Sequence, residues 1–164
     1  MHRRATGRRP PPQHEVLTWG WGCNGQLGHG DVENRIMPQG VAQLHRRRVI
    51  DIVCGSRFTL ALTRHGTVYS WGRADDGQLG HGNQQILYMP RSIEGLEGTR
   101  VVQIAARGAH SMALDSEGVV HTWGRGDDGQ LGHGTTRSRS IPRPVVALQV
   151  RAPEGVEVVV RRGA

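Results

Sequence analysis

The chain has 164 residues and a formal net charge of +7, and all 21 of its basic residues are arginines. Its two cysteines, Cys23 and Cys54, are too few for a disulfide framework or a zinc site, so we expect buried or idle thiols in a reducing compartment. No run reaches the ~18 apolar residues of a membrane span. The composition therefore indicates an intracellular protein, cytoplasmic or nuclear, that does not enter a membrane.

The first 14 residues, MHRRATGRRPPPQH, differ in composition from the rest of the chain. They are rich in proline and arginine, contain no acidic residue and show no periodicity, which predicts a disordered basic head over 1–14. Its arginines would suit weak contacts with nucleic acid or an acidic surface, although such a tail is also typical of a solvated leader. A mitochondrial presequence is the alternative for this Arg-rich segment. The four arginines of the head are Arg3, Arg4, Arg8 and Arg9.

The remainder of the chain is a tandem repeat. The hexapeptide GQLGHG begins at Gly25, Gly77 and Gly129, which lie 52 residues apart. A Trp-Gly pair before it and a proline after it keep the same step, so that landmark repeats begin near residues 15, 67 and 119. The landmarks that we expect to have structural roles are Trp19, Trp71, Trp123, Gly25, Gly77, Gly129, Leu27, Leu79, Leu131, Gly30, Gly82 and Gly134.

Between the landmarks, apolar and polar residues alternate with a period of two, as in FTLALT and TVYSWG. Two-residue turns ending in glycine, at Gly66 and Gly118, separate these segments. The pattern within each repeat therefore predicts three clear strands and a weaker fourth strand near the proline, with no helix. Four-stranded units at a regular spacing are typical of the blades of a β-propeller, an all-β fold of antiparallel sheets.

The glycine-rich stretch DDGQLGHG, residues 75–82, could in isolation hold a phosphate, bind a metal or form a turn. A phosphate loop would be needed once rather than in every repeat, and no helix follows it. The histidines His29, His81 and His133 would be held apart on successive blades, so we predict that they satisfy backbone carbonyls rather than bind metal. The stretch therefore predicts a structural turn.

The segment 54–82, CGSRFTLALTRHG followed by TVYSWGRADDGQLGHG, resembles the repeat of the regulator of chromosome condensation family. The resemblance runs from about Glu15 to the end of the chain. It implies a seven-bladed propeller, of which this sequence holds about two and a half to three blades. In such a propeller Trp19, Trp71 and Trp123 would pack between blades.

No catalytic, cofactor or metal site is predicted. The neighbouring His110 and Ser111 would point to opposite faces of a strand, which argues against a triad with Asp115. Paired aspartates before the glycine loop are explained by turn chemistry. Trp21 is an exception among the aromatic residues, because arginines occupy its place in the later repeats, and it is the candidate contact with a partner or a neighbouring blade.

The most plausible function is therefore a non-enzymatic scaffold that presents loops to protein partners. The resemblance leaves nucleotide exchange on a Ran-like small GTPase as an alternative, but the equal 52-residue steps leave no room for the inserted hairpin on which exchange depends. Light sensing, found in one branch of the family, is not expected, because Ser56 and Gly108 replace the tryptophans that it uses. The chain could also be the propeller part of a larger ubiquitin ligase or signalling protein.

The C-terminal sequence VEVVVRRGA matches VVQIAARGA at residues 101–109, after which the earlier repeat continues into two more strands. We therefore expect the domain at 15–164 to be truncated at its C-terminus.

Overall fold

The computed structural model describes residues 15–148, and its regular secondary structure is almost entirely antiparallel β-strand. The predicted head, 1–14, and the C-terminal match beyond residue 148 lie outside the described residues. The ten strands are β1 Leu17–Gly20, β2 Arg35–Gly40, β3 Val49–Cys54, β4 Phe58–Thr63, β5 Val68–Gly72, β6 Leu87–Ser92, β7 Val101–Arg107, β8 His110–Asp115, β9 Val120–Gly124 and β10 Arg139–Pro144. Single turns of 3₁₀ helix lie at Ala42–Leu44, Glu94–Leu96 and Val146–Leu148.

The strands form two complete blades and part of a third. Strands β3, β4, β5 and β6 form one four-stranded sheet in chain order, and β7 to β10 form another with the same order. Strands β1 and β2 pair with each other in a two-stranded sheet, and they correspond to β5 and β6 of the next repeat. The predicted partial propeller of four-stranded antiparallel blades is confirmed.

Local sequence explains the order of the strands within a blade. Strands β4 and β5 are joined by a tight turn in which Gly66 has a φ of +89°, a conformation that suits glycine. The predicted fourth strand forms around the proline of each repeat, as in β6, which contains Pro90. It lies at the edge of its sheet and its register with β5 is irregular across this proline, and edges and bulges are where strands tolerate proline.

The hydrophobic core lies mainly between the two complete blades. Phe58, Leu60 and Leu62 of β4 pack in one cluster with Ile104 of β7 and Trp123 of β9. All of them are almost fully buried. A second cluster surrounds Trp71, where the middle blade meets the residues that follow β2. Each buried tryptophan removes roughly 150–250 Å² of surface from water, so these contacts contribute strongly to the packing between blades.

Candidate protein-interaction surface

The glycine-rich loop joins each blade to the next one. The backbone carbonyl of Gln78 accepts a hydrogen bond of 2.8 Å from Trp123 Nε1 and another of 2.8 Å from Ser111 Oγ, both in the following blade. One repeat earlier, the Gln26 carbonyl accepts from Trp71 Nε1 at 2.8 Å and from Thr59 Oγ1 at 2.9 Å. The loop is thus a repeated acceptor site for the next blade.

Hydrogen bonds within the loop also stabilise its conformation. The side-chain Oε1 of Gln78 accepts the backbone N–H of Asp76 at 2.9 Å, and Gln26 and Gln130 make the same contact in their own repeats. Two consecutive turns close at Gly77 and Gly80, through N–H···O bonds of 2.8 and 3.0 Å. Leu79 is 1% exposed beneath them. The hydrogen bonds of this loop are therefore used for folding rather than for a ligand.

Each of the three loop histidines lies within hydrogen-bond distance of a hydroxyl group, and His133 also has a hydrogen bond with the backbone of Thr122. Ser70 Oγ donates to the Leu79 carbonyl at 2.7 Å and lies 2.8 Å from Nε2 of His81. Because the single hydroxyl proton is used on the carbonyl, the histidine donates from Nε2. Thr18 with His29 and Thr122 with His133 repeat this arrangement. The hydroxyl thus links the histidine to the carbonyl.

Burial governs the protonation of His81, His133 and His110. It lowers the pKa of His81 from 6.5 to about 4, with Arg91 contributing in the same direction. The buried Nδ1 of His81 has no hydrogen-bond partner within the described chain. Burial likewise lowers the pKa of His133 and of His110. These rings are therefore neutral at physiological pH.

The residues considered for catalysis have other contacts. Ser111 donates to a loop carbonyl, as described above, and Asp115 lies 2.9 Å from Nε2 of His121. Burial would raise the pKa of Asp115, but its hydrogen bonds with His121 and with two backbone amides hold the pKa below its ordinary value. Within residues 15–148 no three His, Cys, Asp or Glu side chains are grouped to hold a metal ion.

The aspartates before the loop form ion pairs with arginines two residues earlier. Arg73 pairs with Asp75, and Arg125 pairs with Asp127 at 2.9 Å, which raises the pKa of Arg125. Both pairs are exposed, so each stabilises the fold little. The arginines of these pairs, Arg73 and Arg125, occupy the place that Trp21 has in the first repeat.

Trp21 lies at the surface beside the next blade. It is 52% exposed, and the guanidinium of Arg57 lies 5.8 Å from the centroid of its ring, a cation–π distance. Arg57 belongs to the loop between β3 and β4, so Trp21 packs on the blade that follows it. A cleft of about 380 Å³ lies alongside, lined in part by Arg57, Arg73 and Arg125. We call the residues Trp21, Arg57, Arg73 and Arg125 the loop face.

Two expectations from the sequence require correction. Trp71 and Trp123 are fully buried between blades, whereas Trp19, which we expected to pack in the same way, is 60% exposed. The reason is that no blade precedes β1 among the described residues. Of the two alternatives expected for the cysteines, buried or idle, burial is excluded, because Cys23 and Cys54 are free thiols and both are exposed.

Several residues that form the hydrogen bonds of the loops were missed by sequence reasoning; Thr59 and Ser111 bond the loop of the preceding blade, whereas Thr18, Ser70 and Thr122 bond the loop of their own repeat. They are the glutamines Gln26 and Gln78, and the hydroxyl residues that donate to the loops, Thr18, Thr59, Ser70, Ser111 and Thr122. All of them recur at the 52-residue step, with Thr and Ser exchanging freely, so the pattern itself could have identified them.

Repeated four-stranded blades, joined by glycine-loop carbonyls that accept from the next blade, define the chain as a β-propeller repeat protein. It matches the regulator of chromosome condensation (RCC1) repeat at residues 13–62, 65–114 and 117–159. The chain belongs to this family. The family assigned from the sequence is therefore confirmed.

Known relatives support the same assignment. The chain is 42% identical over 135 residues to the ultraviolet-B receptor UVR8 of Arabidopsis thaliana, an alignment that covers 82% of this chain and 31% of the receptor. It is 42% identical over 134 residues to the human E3 ubiquitin-protein ligase HERC2, with coverage of 82% and 3%. The crystal structure of Prp20p from Saccharomyces cerevisiae superposes with a TM-score of 0.72 at 24% identity, covering 80% of this chain and 34% of Prp20p.

The chain spans about a third or less of the length of these relatives. None of the helices in the described part of the chain is long and apolar enough to cross a membrane.

Proposed function

We propose that this chain is a non-enzymatic protein-interaction module whose partner contacts the loop face. The module acts by holding exposed side chains in fixed positions rather than by chemistry. Its rigid part is the set of joints between blades, and its variable part is the exposed rim of the loops.

The contrast between constant and variable positions carries this proposal. The joint residues are the same or equivalent in each repeat, because each must place one carbonyl against one indole. The exposed positions differ: Trp21 is replaced by Arg73 and Arg125, and Arg57 by Ala109. A purely structural repeat has no need for a large exposed aromatic residue at one position in the series. Exposed binding residues on a rigid scaffold are the usual arrangement for recognition.

The chemistry of the pair supports a protein partner. Tryptophan and arginine are the residue types most enriched at the energetic centres of interfaces. Stacking on Arg57 holds the Trp21 ring in one orientation, which reduces the entropy lost on binding. Arg73 and Arg125 are already paired with aspartates, so the loop face is mixed in charge rather than strongly basic. We expect a partner surface with an apolar pocket bordered by carboxylates.

Two alternatives are attached to particular relatives. The Prp20p structure was described with binding properties to Gsp1p and histones, which keeps nucleotide exchange on a Ran-like GTPase as the second candidate. The likeness to HERC2 keeps open a role as the propeller part of a ubiquitin ligase. We place the protein in the cytoplasm or nucleus, with the mitochondrion as the alternative suggested by the arginines of the head.

The loop face can be tested with a photo-crosslinking amino acid. Arg57 and Arg64 flank the two ends of β4 and lie about 23 Å apart at ~3.3 Å per residue, so position 64 is a matched control for the opposite end of the blade. We expect crosslinkers at positions 21 and 57 to capture the same protein, and a crosslinker at 64 not to capture it. Trp21→Ala should then weaken binding of the captured protein by about tenfold or more, and Arg64→Ala should not.

Equal capture from positions 21 and 64, or wild-type affinity of the Trp21→Ala variant, would show that the loop face is not the contact surface.

A further inference from the structure

A cluster of exposed arginines lies at the end of the middle blade opposite the loop face. Three consecutive arginines, Arg46, Arg47 and Arg48, occupy the linker that joins β2 to β3. The fourth, Arg64, follows β4 on the turn that leads to β5. The N–H of Arg64 donates to the Arg48 carbonyl at 2.9 Å, so the linker and the turn lie side by side. We call these four residues the arginine patch.

The linker lies at the surface in both repeats in which the structure describes it in full. Arg46 and Arg48 are exposed, and the residues at the same places one repeat later, Gly98 and Arg100, are exposed as well. That later linker joins two complete four-stranded blades. The exposure of the patch is therefore a property of the linker itself and does not depend on which residues the structure describes.

The fold does not require a run of arginines here. One repeat later residues 97–100 read EGTR, and that linker forms the same single turn of 3₁₀ helix before it enters the next blade. Arg46 has a φ of +63°, whereas Gly98 occupies the same place with a φ of +78°, which costs glycine little. Strained backbone of this kind is concentrated at functional sites. The arginine at position 46 thus has a conformational cost that glycine avoids, which indicates a use for its side chain.

The positive charge of the patch is not neutralised within residues 15–148. None of its four guanidinium groups forms an ion pair with a carboxylate in that part of the chain. Arg47 instead lies over the ring of Tyr69, 6.0 Å from the ring centroid, a cation–π distance. Other arginines of the described chain do form ion pairs, namely Arg35, Arg73, Arg91 and Arg125. Four neighbouring cations that lack a counter-charge repel one another, and a bound anion relieves that repulsion.

The composition of the patch indicates which anion it fits. The centre of a protein interface is usually apolar, and the loop face has the exposed ring of Trp21 for that purpose. The patch has no apolar side chain, and the residues next to its ends, His45 and His65, are exposed histidines. Interfaces with nucleic acids are more polar and much more positively charged than interfaces with proteins. Guanidinium groups also match phosphate oxygens, to which they can donate two parallel hydrogen bonds.

We propose that the arginine patch binds the phosphate backbone of a nucleic acid. Arg46, Arg48 and Arg64 donate to phosphate oxygens, and Arg47 donates from the edge of a guanidinium group held over Tyr69. Such contacts position a nucleic acid without reading its bases, so the binding does not depend on sequence. This activity is separate from that of the loop face, which lies at the other end of the blade and contacts a protein.

The test is binding of the purified 164-residue chain to fluorescent DNA. Fluorescence anisotropy is measured with two duplexes of unrelated sequence, each of about 20 base pairs, between about 50 and about 200 mM NaCl. One variant combines Arg46→Asn with Arg48→Asn, because asparagine tolerates the positive φ at both positions. A second variant combines Arg47→Gln with Arg64→Gln.

The matched control combines Arg107→Gln with Arg137→Gln. It removes the same charge from two exposed arginines that lie outside the patch, at the end of β7 and in the loop before β10. The arginines of the segment 1–14 are present in every variant, so their contribution cancels in the comparison. Circular dichroism verifies that each variant is folded, and if one double variant of the patch does not fold, the other makes the same comparison.

We expect each patch variant to weaken the affinity for both duplexes by about tenfold or more at the lowest salt concentration. Each should also reduce the slope of log K against log salt by about 2, one for each phosphate contact removed. The control should keep the slope of the wild-type chain.

Three results would overturn the proposal. The first is wild-type affinity and slope in the patch variants, and the second is an equal loss in the control. The third comes from vesicles that contain phosphatidylserine: patch variants that lose vesicle binding but keep their affinity for DNA would show that the patch contacts a membrane surface instead.

Discussion

Trp19 and Trp123 occupy the same place in the repeat but differ in whether a blade lies in front of them, which gives a direct test of how the array is held together. Trp123 is fully buried and donates a hydrogen bond to the previous blade, whereas Trp19 is 60% exposed. Full burial of a tryptophan removes roughly 150–250 Å², which is worth about 4–6 kcal/mol as an upper bound at ~25 cal/mol per Å².

We therefore expect Trp123→Ala to lower the free energy of unfolding by about 3–5 kcal/mol. The 40% of Trp19 that is covered is worth at most about 2.4 kcal/mol on the same scale, so Trp19→Ala should cost less than half as much. The difference reflects the neighbours that β1 lacks among the described residues, namely a preceding blade and the two inner strands of its own blade, because the residue type is the same.

The assay is urea unfolding followed by far-UV circular dichroism. If Trp123→Ala does not fold, the pair Trp123→Phe and Trp19→Phe makes the same comparison with smaller changes. Trp71→Ala should behave as Trp123→Ala does. Equal losses of the free energy of unfolding at positions 19 and 123 would refute the view that these tryptophans stabilise the protein mainly through contacts with a neighbouring blade.

Further outcomes follow from the loops and the head. Leu79→Ala should destabilise the protein by about 2–5 kcal/mol through a cavity, whereas His81→Ala should cost less and leave the metal content measured by mass spectrometry unchanged. Folding lowers the pKa of His81 from 6.5 to about 4, so the folded state favours the neutral imidazole. The contribution of this residue to the free energy of unfolding is therefore present in full above about pH 6.5 and is lost as the pH falls toward 4. His81→Gln should reduce this pH dependence in urea titrations at several pH values. We expect no acceleration of labelled GDP release from a Ran-like GTPase, and stimulated release at micromolar protein would favour exchange over the scaffold function. Deleting residues 1–14 should weaken any binding of nucleic acid and lower the slope of log K against log salt by about 3–4, one for each arginine lost; an unchanged slope would show that the head makes no phosphate contacts.

The sequence by itself determined the repeat, the strands and the class of fold. The 52-residue step, the period-two alternation and the turn glycines can be recognised without knowing any distant contact, and the strands of the structure lie where they predict. Even the fourth strand, which is weak by propensity, could be placed from its proline, since an edge strand tolerates that residue. The glycine loop could also be predicted as a turn from the sequence, because its glycines recur in every repeat.

Only the tertiary structure decided which face of each strand is buried. Alternation in FTLALT predicts one inward face, yet all six residues of β4 are buried, because a blade in the middle of the array is covered on both sides. In β8 the Ser111 face is buried while Met112 and Leu114 remain partly exposed, because no described blade follows. The exposure of Trp19 has the same origin at the other end. The local sequence determines the strand in which a residue lies and the face of the strand on which its side chain lies. Its burial depends on whether a neighbouring blade is present, which is a property of the assembled array.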